Sequence, residues 1–488
     1  MAKKFYITTA IDYANAPLHL GHALEKIQTD VLARYHRLLG EEVFFLTGSD
    51  ENAQKNVEAA KEKGISVKEL VDKNVLLFKK AIKLLNISND DFIRTTDKKR
   101  HWPGVAKLWK ECEKAGDVYK KSYKGLYCIG CEAFLTARDL KDGLCPEHLT
   151  PPERVSEENY FFRLSKYQKK LENLIEQEKL KIIPEKRKNE VLSFIKSGLE
   201  DFSISRPVKR TKGWGIPVPG DKEQIIYVWF DALSNYITAL GYGSENETKF
   251  AKYWPADIHV IGKGVSRFHA IYWPAILLSA GIELPEKIFI HGYLTVNGQK
   301  ISKSLGNIID PIELVKKYGT DPVRYFLLRE FSSFTDGDFT YKKFEERYNS
   351  DLAKGLGNLV GRVLTMAEKV QYETGSTECE SEIKDEIKRV KKEYKKTFEE
   401  FKFNETLIAI WELISFCDRY IEKKRPWEEK NKKAITNLLF ALSEISQLLK
   451  PFLPETSKTI SNQLGIKLEE KPWKFKIKKE KALFPRLK

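Results

Sequence analysis

The sequence predicts an α/β fold: a Rossmann-like parallel sheet, split by an insertion that bears a zinc-type cysteine cluster, followed by an all-α helical bundle. Three observations predict it. The first third alternates apolar, β-branched runs with apolar residues at helical spacing, the pattern of βαβ units. A turn-rich stretch holding Cys128, Cys131 and Cys145 interrupts that alternation before strand-like runs return. From about Asp351 onward, long helical patterns dominate.

Taken in order, "FYITTA" reads as a strand, and Leu24, Ile27, Val31, Tyr35 and Leu38 mark a helix from about Gly21 to Leu39. "VFFLTG" reads as a second buried strand and residues 52 to 63 as a helix, which completes a βαβ unit. Ligands of such sheets bind at the carboxyl ends of the strands, where His19, His22 and Asp50 are expected to gather. Residues 1–115 are therefore the expected first half of the sheet domain. Residues 116–222 read as an insertion, with a helix around "SKYQKKLENLIEQEKL" and turns in "RTKGWGIPVPGDKE". "QIIYVWF", "IHVIG" and "KIFIHGYL" read as returning strands, so 223–295 supply the second half. Residues 296–350 hold the loop "NGQKISKSLGN" and the start of the helical part; 351–488 form the bundle, with "QYETGSTECESE" as a polar connector. No internal repeat is evident.

A chain of 488 residues with 42% apolar residues can build several substantial cores. The net charge of +15 and pI near 9.1 suit a polyanionic partner, although solvated lysine-rich faces give the same balance. No apolar run is long enough to span a bilayer, and no membrane partner is expected. The N-terminus enters a strand almost at once, which leaves no room for a signal peptide, so a cytoplasmic protein is expected. Six cysteines are too few for a disulfide framework at this length.

"ANAPLHLGHALEKIQTD" places Pro17, His19, Gly21 and His22 at a strand-to-helix junction, where backbone N–H groups are unpaired and the helix dipole favours anions. A lone HxxH is commonly a core or surface accident, and this one lacks further ligands for zinc. Its placement instead suits phosphate: imidazole N–H groups can donate to phosphate oxygens as charge builds there, and Gly21 lets a ligand approach the backbone. The dinucleotide fingerprint GxGxxG is absent. Lys300 and Lys303 lie in "GQKISKSLGN", where the ordinary reading, in a chain with 84 Lys and Arg, is a solvated turn. Between a strand and a helix, with Gly298 and Gly306 on either side, two ammonium groups on a mobile loop could close over a triphosphate. Cys128-x-x-Cys131 and Cys145-x-x-His148 offer three thiolates and an imidazole, a closed tetrahedral set for one structural Zn2+.

HLGH resembles the "HIGH" signature of class I aminoacyl-tRNA synthetases and related nucleotidylyltransferases, and KISKS resembles the synthetases' "KMSKS" loop, with Ile301 in place of Met. Together with "FFLTGSDE", "LYCIGCEAFLT", "CPEH", "ENYFFRLSKY", "VWFDALSNY" and "HVIGKGVSRFHAIYWPAIL", these motifs make nearly the whole chain resemble the methionyl-tRNA synthetases, in the subgroup whose insertion carries a single zinc knuckle. The large editing insertion typical of the valyl, isoleucyl and leucyl enzymes is missing.

The resemblance implies roles by matched position. His19, His22, Lys300 and Lys303 would be catalytic at the phosphates, with Gly21, Gly262 and Lys263 also binding ATP. Ala10, Ile11, Tyr13, Trp229, Tyr236, His269 and Trp273 would line a methionine pocket, where a thioether finds apolar and aromatic walls. Asp50 would hold the substrate ammonium, and Arg206 would lie near the pocket. Asn358, Arg362 and Trp427 would read a CAU anticodon. Three departures stand out: the family's "GKD" is Gly262-Lys263-Gly264 here, its "DEHG" is Asp50-Glu51-Asn52-Ala53, and Asp12 takes a position where proline or a neutral residue is frequent. The implied partners are L-methionine, ATP with Mg2+, and tRNA(Met) including the initiator. A monomer is expected, since the chain ends without room for the C-terminal dimerisation domain that the family often carries. The alternatives are another class I synthetase such as the cysteinyl enzyme, a small-molecule nucleotidylyltransferase, and a non-catalytic zinc-bearing RNA-binding protein.

Overall fold

In the computed structural model the described residues are 3–130, 133–135, 139–146, 149–301, 306–370, 379–428, 431–470 and 473–487. Among them, seven strands form one sheet whose strand pairings are all parallel. From one edge the order is Lys181–Ile183, Lys287–His291, Ile258–Gly262, Lys4–Thr9 and Glu42–Asp50; both Asp12–Tyr13 and Asp91–Arg94 pair onto the last of these. Ile7 lies opposite both Phe45 and Ile258, and Val260 opposite Phe289. All five of these side chains are buried, as are Val260's neighbours, which is why the strands read as near-continuous apolar runs.

From Lys4–Thr9 the chain moves to one side of the sheet, through Glu42–Asp50 to Asp91–Arg94. The later strands Ile258–Gly262 and Lys287–His291 add on the other side. The strand order therefore reverses between Lys4–Thr9 and Ile258–Gly262, and a crevice at the carboxyl ends of these two strands is where a ligand is bound in such sheets. The Ala10 amide extends the ladder there, donating to the Val260 carbonyl at 3.1 Å.

Two expectations change in detail. "QIIYVWF" does not rejoin the parallel sheet. Its strand, Asp221–Ile226, pairs antiparallel with Ser205–Pro207 and Pro217–Val218, and Val228–Leu233 is helical. A short apolar run buried on all sides has no periodicity to separate helix from strand. Lys181–Ile183, from within the stretch read as an insertion, joins the parallel sheet. Nearby, Val118–Cys128 and Glu153–Phe162 form a long antiparallel pair, flanked by Ala133–Leu135 and Phe202–Ser203.

The chain packs into two compact units. The first holds Met1–Leu18, His36–Lys80 and Ser88–His291, and so the whole parallel sheet. The second holds His19–Tyr35, Ala81–Ile87 and Gly292–Lys488. Its long C-terminal segment opens with a hairpin, Leu294–Val296 and Gln299–Lys300, turned by Asn297 (φ 52°) and Gly298 (φ 75°), the backbone a two-residue Asn-Gly loop supplies. Helices then follow, including Thr320–Arg329, Asn358–Lys369, Ser381–Glu399, Phe403–Lys424, Lys432–Leu449 and Pro454–Leu464. The Asn431 side chain caps the fifth of these by accepting from the Ala434 amide. The connector residues 371–378 lie outside the described residues.

Arg324 is the hub of this unit. Fully buried, it pairs with Asp30 at 2.7 Å and donates to the carbonyls of Leu85, Pro451 and Phe452. A buried guanidinium is tolerable only when its donors are matched this way. Asp30 sits in the helix Leu20–Leu38, whose Tyr35 ring stacks on Phe398 at 3.9 Å. The helix that begins with the histidine motif is thus fastened to the bundle along its length.

Candidate active site

In the first unit, Asp50 ends the Glu42–Asp50 strand and is buried. Its carbonyl accepts from the Ala14 amide (2.9 Å) and from the Asn56 side chain (3.2 Å). The next residue, Glu51, is gripped by Arg94 through two bonds of 2.7 and 2.9 Å, so the strand end is rigid. Tyr13 pairs with Asp50 in the sheet, and its ring meets Trp229 edge-on at 6.2 Å.

Trp229 stacks flat on Phe268, 3.6 Å away with 6° between planes, and lies edge-on to His269 at 6.3 Å. His269 Nδ1 donates to the Val265 carbonyl at 2.9 Å, so Nε2 accepts from the Tyr236 hydroxyl at 2.7 Å. Burial pushes the His269 pKa down to about 4 and holds that of His259 well below the usual histidine range, so both rings are neutral near pH 7. Tyr236 also packs on Trp273 at 6.1 Å. Ala10 and Ile11, half-buried, pack against the same apolar cluster. The structure therefore brings Ala10, Ile11, Tyr13, Trp229, Tyr236, His269 and Trp273 into one aromatic cluster, with the Asp50 carboxylate at the strand end beside it. A neutral, polarisable wall next to a carboxylate suits an α-amino acid with an apolar side chain. Sequence reasoning missed Phe268; its signal was the aromatic directly before His269, and the π-helical turn Phe268–Tyr272 that presents it was not legible.

Gly262 ends its strand at the crevice, and Lys263 opens the short turn Lys263–Val265. Gly264 is exposed there. Arg206 is neither exposed nor free to reach a ligand: it is buried, with its guanidinium over the rings of Tyr127 and Tyr227 at 5.0 and 4.3 Å and bonded to Ser203 and Ser205.

In the second unit, His19 and His22 stack with ring centroids 3.7 Å apart at the head of the helix Leu20–Leu38. The Gly21 amide donates to His19 Nδ1 and the His19 amide to His22 Nδ1, both at 3.1 Å. With each Nδ1 accepting, each Nε2 carries the proton and can donate to an anion. A side chain at position 21 would bring a Cβ to 2.9 Å from His19 Cε1 and push the ring aside, so glycine leaves the ring its place. No acidic residue occupies the first helical turn, which leaves the dipole's positive end uncancelled. The Leu20 amide donates to the Ile309 carbonyl at 3.1 Å, which ties this helix start to the chain just after the KISKS loop. Lys300 ends the hairpin, with its side chain outside the described residues, and Lys303 lies outside them altogether.

Cys128 ends its strand and Cys145 sits in a turn; both are buried and neither forms a disulfide. Cys131 and His148 lie outside the described residues, and among those described no cluster of three metal-ligating side chains occurs. Two buried thiols, one at a strand end and one in a turn, are of the type that half of a Cys3His zinc set needs.

Asn358, Arg362 and Trp427 line one concavity of about 700 Å³ in the bundle. Trp427 is 48% exposed, so it does not cap the core. Arg362 is held by Glu422 at 2.7 Å and Asp418 at 3.6 Å. Lys479, Lys481 and Arg486, from the C-terminal segment, line the same concavity and were not singled out from the sequence.

A family described as tRNA synthetases class I (M) matches residues 5–154 and 139–364, and an anticodon-binding domain of tRNA ligase matches 380–484. Methionine–tRNA ligase of Caldanaerobacter subterraneus subsp. tengcongensis is 46% identical over 100% of this chain and 79% of its own. That of Brucella suis is 41% identical over 96% of this chain and 93% of its own. The structure of Mycobacterium tuberculosis methionyl-tRNA synthetase in complex with methionyl-adenylate superposes with a TM-score of 0.93 at 38% identity, covering 99% of this chain and 100% of that one. A parallel sheet of this order, with HLGH opening a helix and KISKS following a hairpin, is the make-up of a class I aminoacyl-tRNA synthetase. At this identity and coverage, the chain belongs to the methionine–tRNA ligase family.

Proposed function

We propose that the chain activates L-methionine with ATP and transfers it to the 3′-terminal adenosine of tRNA(Met), with the residues named above in the following roles. The methionine carboxylate oxygen attacks the α-phosphorus; the bond to the β-phosphate oxygen breaks and pyrophosphate leaves. The Nε2–H groups of His19 and His22, with the ammonium groups of Lys300 and Lys303, balance charge that grows on the phosphates. Gly21, Gly262 and Lys263 hold ATP, which binds with Mg2+. Asp50 orients the ammonium, and Tyr13, Trp229, Phe268, Tyr236, His269 and Trp273, with Ala10 and Ile11, enclose the thioether. A terminal ribose hydroxyl then attacks the adenylate carbonyl and AMP leaves. No residue forms a covalent intermediate; the enzyme works by positioning and electrostatics.

The observation that carries this reading is the run from Asp50 through Tyr13 to the stacked Trp229–Phe268 pair: an ammonium partner and an apolar wall on one rigid frame. In the bundle, Asn358, Arg362 and Trp427 would read the anticodon, an unpaired base stacking on the indole. One structural Zn2+ would be held by Cys128, Cys131, Cys145 and His148. Initiator tRNA as a substrate and a monomeric, cytoplasmic enzyme belong to the same proposal, as do segment roles of 1–115 and 223–295 as catalytic halves, 116–222 as the zinc-bearing insertion, 296–350 as the loop and stem-contact region and 351–488 as the anticodon-binding part. ATP–pyrophosphate exchange run with each of the twenty amino acids tests the reading; exchange driven best by any other amino acid overturns it.

A further inference from the structure

The carboxylate of Asp231 joins three pieces of the aromatic site without belonging to its surface. One oxygen accepts from the Asn52 side-chain amide at 2.7 Å, the other from His101 Nε2 at 2.6 Å. With that proton on Nε2, His101 Nδ1 accepts from the Thr238 hydroxyl at 2.7 Å. The second Asn52 N–H reaches the Thr95 carbonyl at 3.0 Å. Asp231 and His101 are fully buried, and every donor in the line has an acceptor.

An Asp–His–hydroxyl line is also the arrangement of an activated nucleophile. Thr238 is 1% exposed, so no substrate reaches its oxygen, and the line serves position instead. Each bond leads to a different wall. Asn52 follows Asp50 by two residues. Asp231 follows Trp229 by two, in the helix Val228–Leu233. Thr238 follows Tyr236 by two, in the turn Asn235–Thr238. The sheet side is fixed independently by the Arg94 grip on Glu51.

We propose that Asp231, bridged to Asn52 and His101, is a positioning residue that sets the separation between the Asp50 carboxylate and the Trp229–Tyr236 wall, and so the length of amino acid the site accepts. The inference rests on the methionine reading above. Its machinery is separate from the phosphate groups, so its loss shows in methionine and not in ATP.

The test is ATP–pyrophosphate exchange with methionine and ATP varied separately. Asn52→Asp sets two carboxylates face to face, and Asp231→Asn removes the charge. Each should raise the methionine KM about tenfold or more, the cost of a buried mismatched pair, while the ATP KM stays within about twofold. The exchanged pair, Asn52→Asp with Asp231→Asn, again opposes one donor and one acceptor at the bridge and should recover part of the methionine KM, the Thr95 carbonyl still lacking its donor. Asn52→Ala keeps the Asp231–His101 bond and is read alongside, in case a charged variant does not fold. It too should raise the methionine KM selectively. A merely structural role would lower the unfolding temperature and the active fraction and leave KM alone. An unchanged methionine KM in Asn52→Ala, an equal rise in the ATP KM, or no recovery in the exchanged pair overturns the proposal. A wild-type chain without methionine-dependent exchange overturns the functional reading itself, before any variant is compared.

Discussion

The Tyr236 hydroxyl donates to Nε2 of His269 across 2.7 Å, inside a cluster where burial keeps that imidazole from taking a proton until about pH 4. The unfolded chain binds this proton near the ordinary histidine value, so between about pH 6.5 and pH 4 the unfolded state holds more protons than the folded one. Stability must then fall as pH falls through that window, by up to about 3 kcal/mol from His269 alone, and His259 acts in the same direction. Urea unfolding at pH 7.5, 6 and 5 measures it. A midpoint that falls less with acid in a His269→Gln variant than in the wild type identifies the group.

His19→Ala and His22→Ala should each slow adenylate formation about a hundredfold, the effect of removing one preformed donor to a charged transition state, and change the methionine KM little. Gly21→Ala should slow it too with both imidazoles still present, because its Cβ would press on the His19 ring and displace it. Single-turnover formation of adenylate is the measurement; wild-type rates in all three variants would remove HLGH from the chemistry.

One zinc per chain is expected in freshly purified, unchelated protein, measured by elemental analysis. Cys145→Ser should lose it, loosen residues 116–162, and impair transfer to tRNA more than exchange. Zinc-free protein with full aminoacylation would rule out the set.

Trp427→Ala should weaken tRNA binding by about 1–3 kcal/mol, the worth of one base–aromatic stack, and leave exchange intact, since that step needs no tRNA. Aminoacylation of transcripts with CAU and altered anticodons reads the effect. Undiminished discrimination by the variant would place anticodon reading elsewhere.

Much of the framework was legible before the fold was known. "FYITTA", "VFFLTG" and "IHVIG" are strands because a sheet covered on both faces needs uninterrupted apolar runs, and such runs are plain in a sequence. The same property misled at "QIIYVWF", where Val228–Leu233 is helical. The motif residues HLGH and KISKS were found by type and spacing. Arg206 shows the limit of that method. Its cation sits over two rings contributed by Tyr127 and Tyr227, and nothing local marks that burial. The Asp231 line was equally hidden, since Asn52, His101 and Asp231 come from three distant segments and each alone is an ordinary polar residue. The π-helical turns at Phe268–Tyr272, which holds His269, and Tyr348–Gly357, which ends just before Asn358, left no trace in the periodicity.

The ion pair between Asp30 and Arg324 has a consequence in time. During synthesis the helix carrying His19 and His22 is among the first segments to leave the ribosome, yet Arg324, Phe398 and Phe452, which fasten it, come far later. At ordinary elongation rates that delay is on the order of tens of seconds. For that interval the histidine motif exists as sequence without a fixed direction. A nascent or truncated chain can complete much of its parallel sheet, but the second unit gathers its pieces only when the bundle has been made. Adenylate chemistry should therefore switch on late and all at once, and an incomplete chain should not consume ATP on a tRNA it has no means to read.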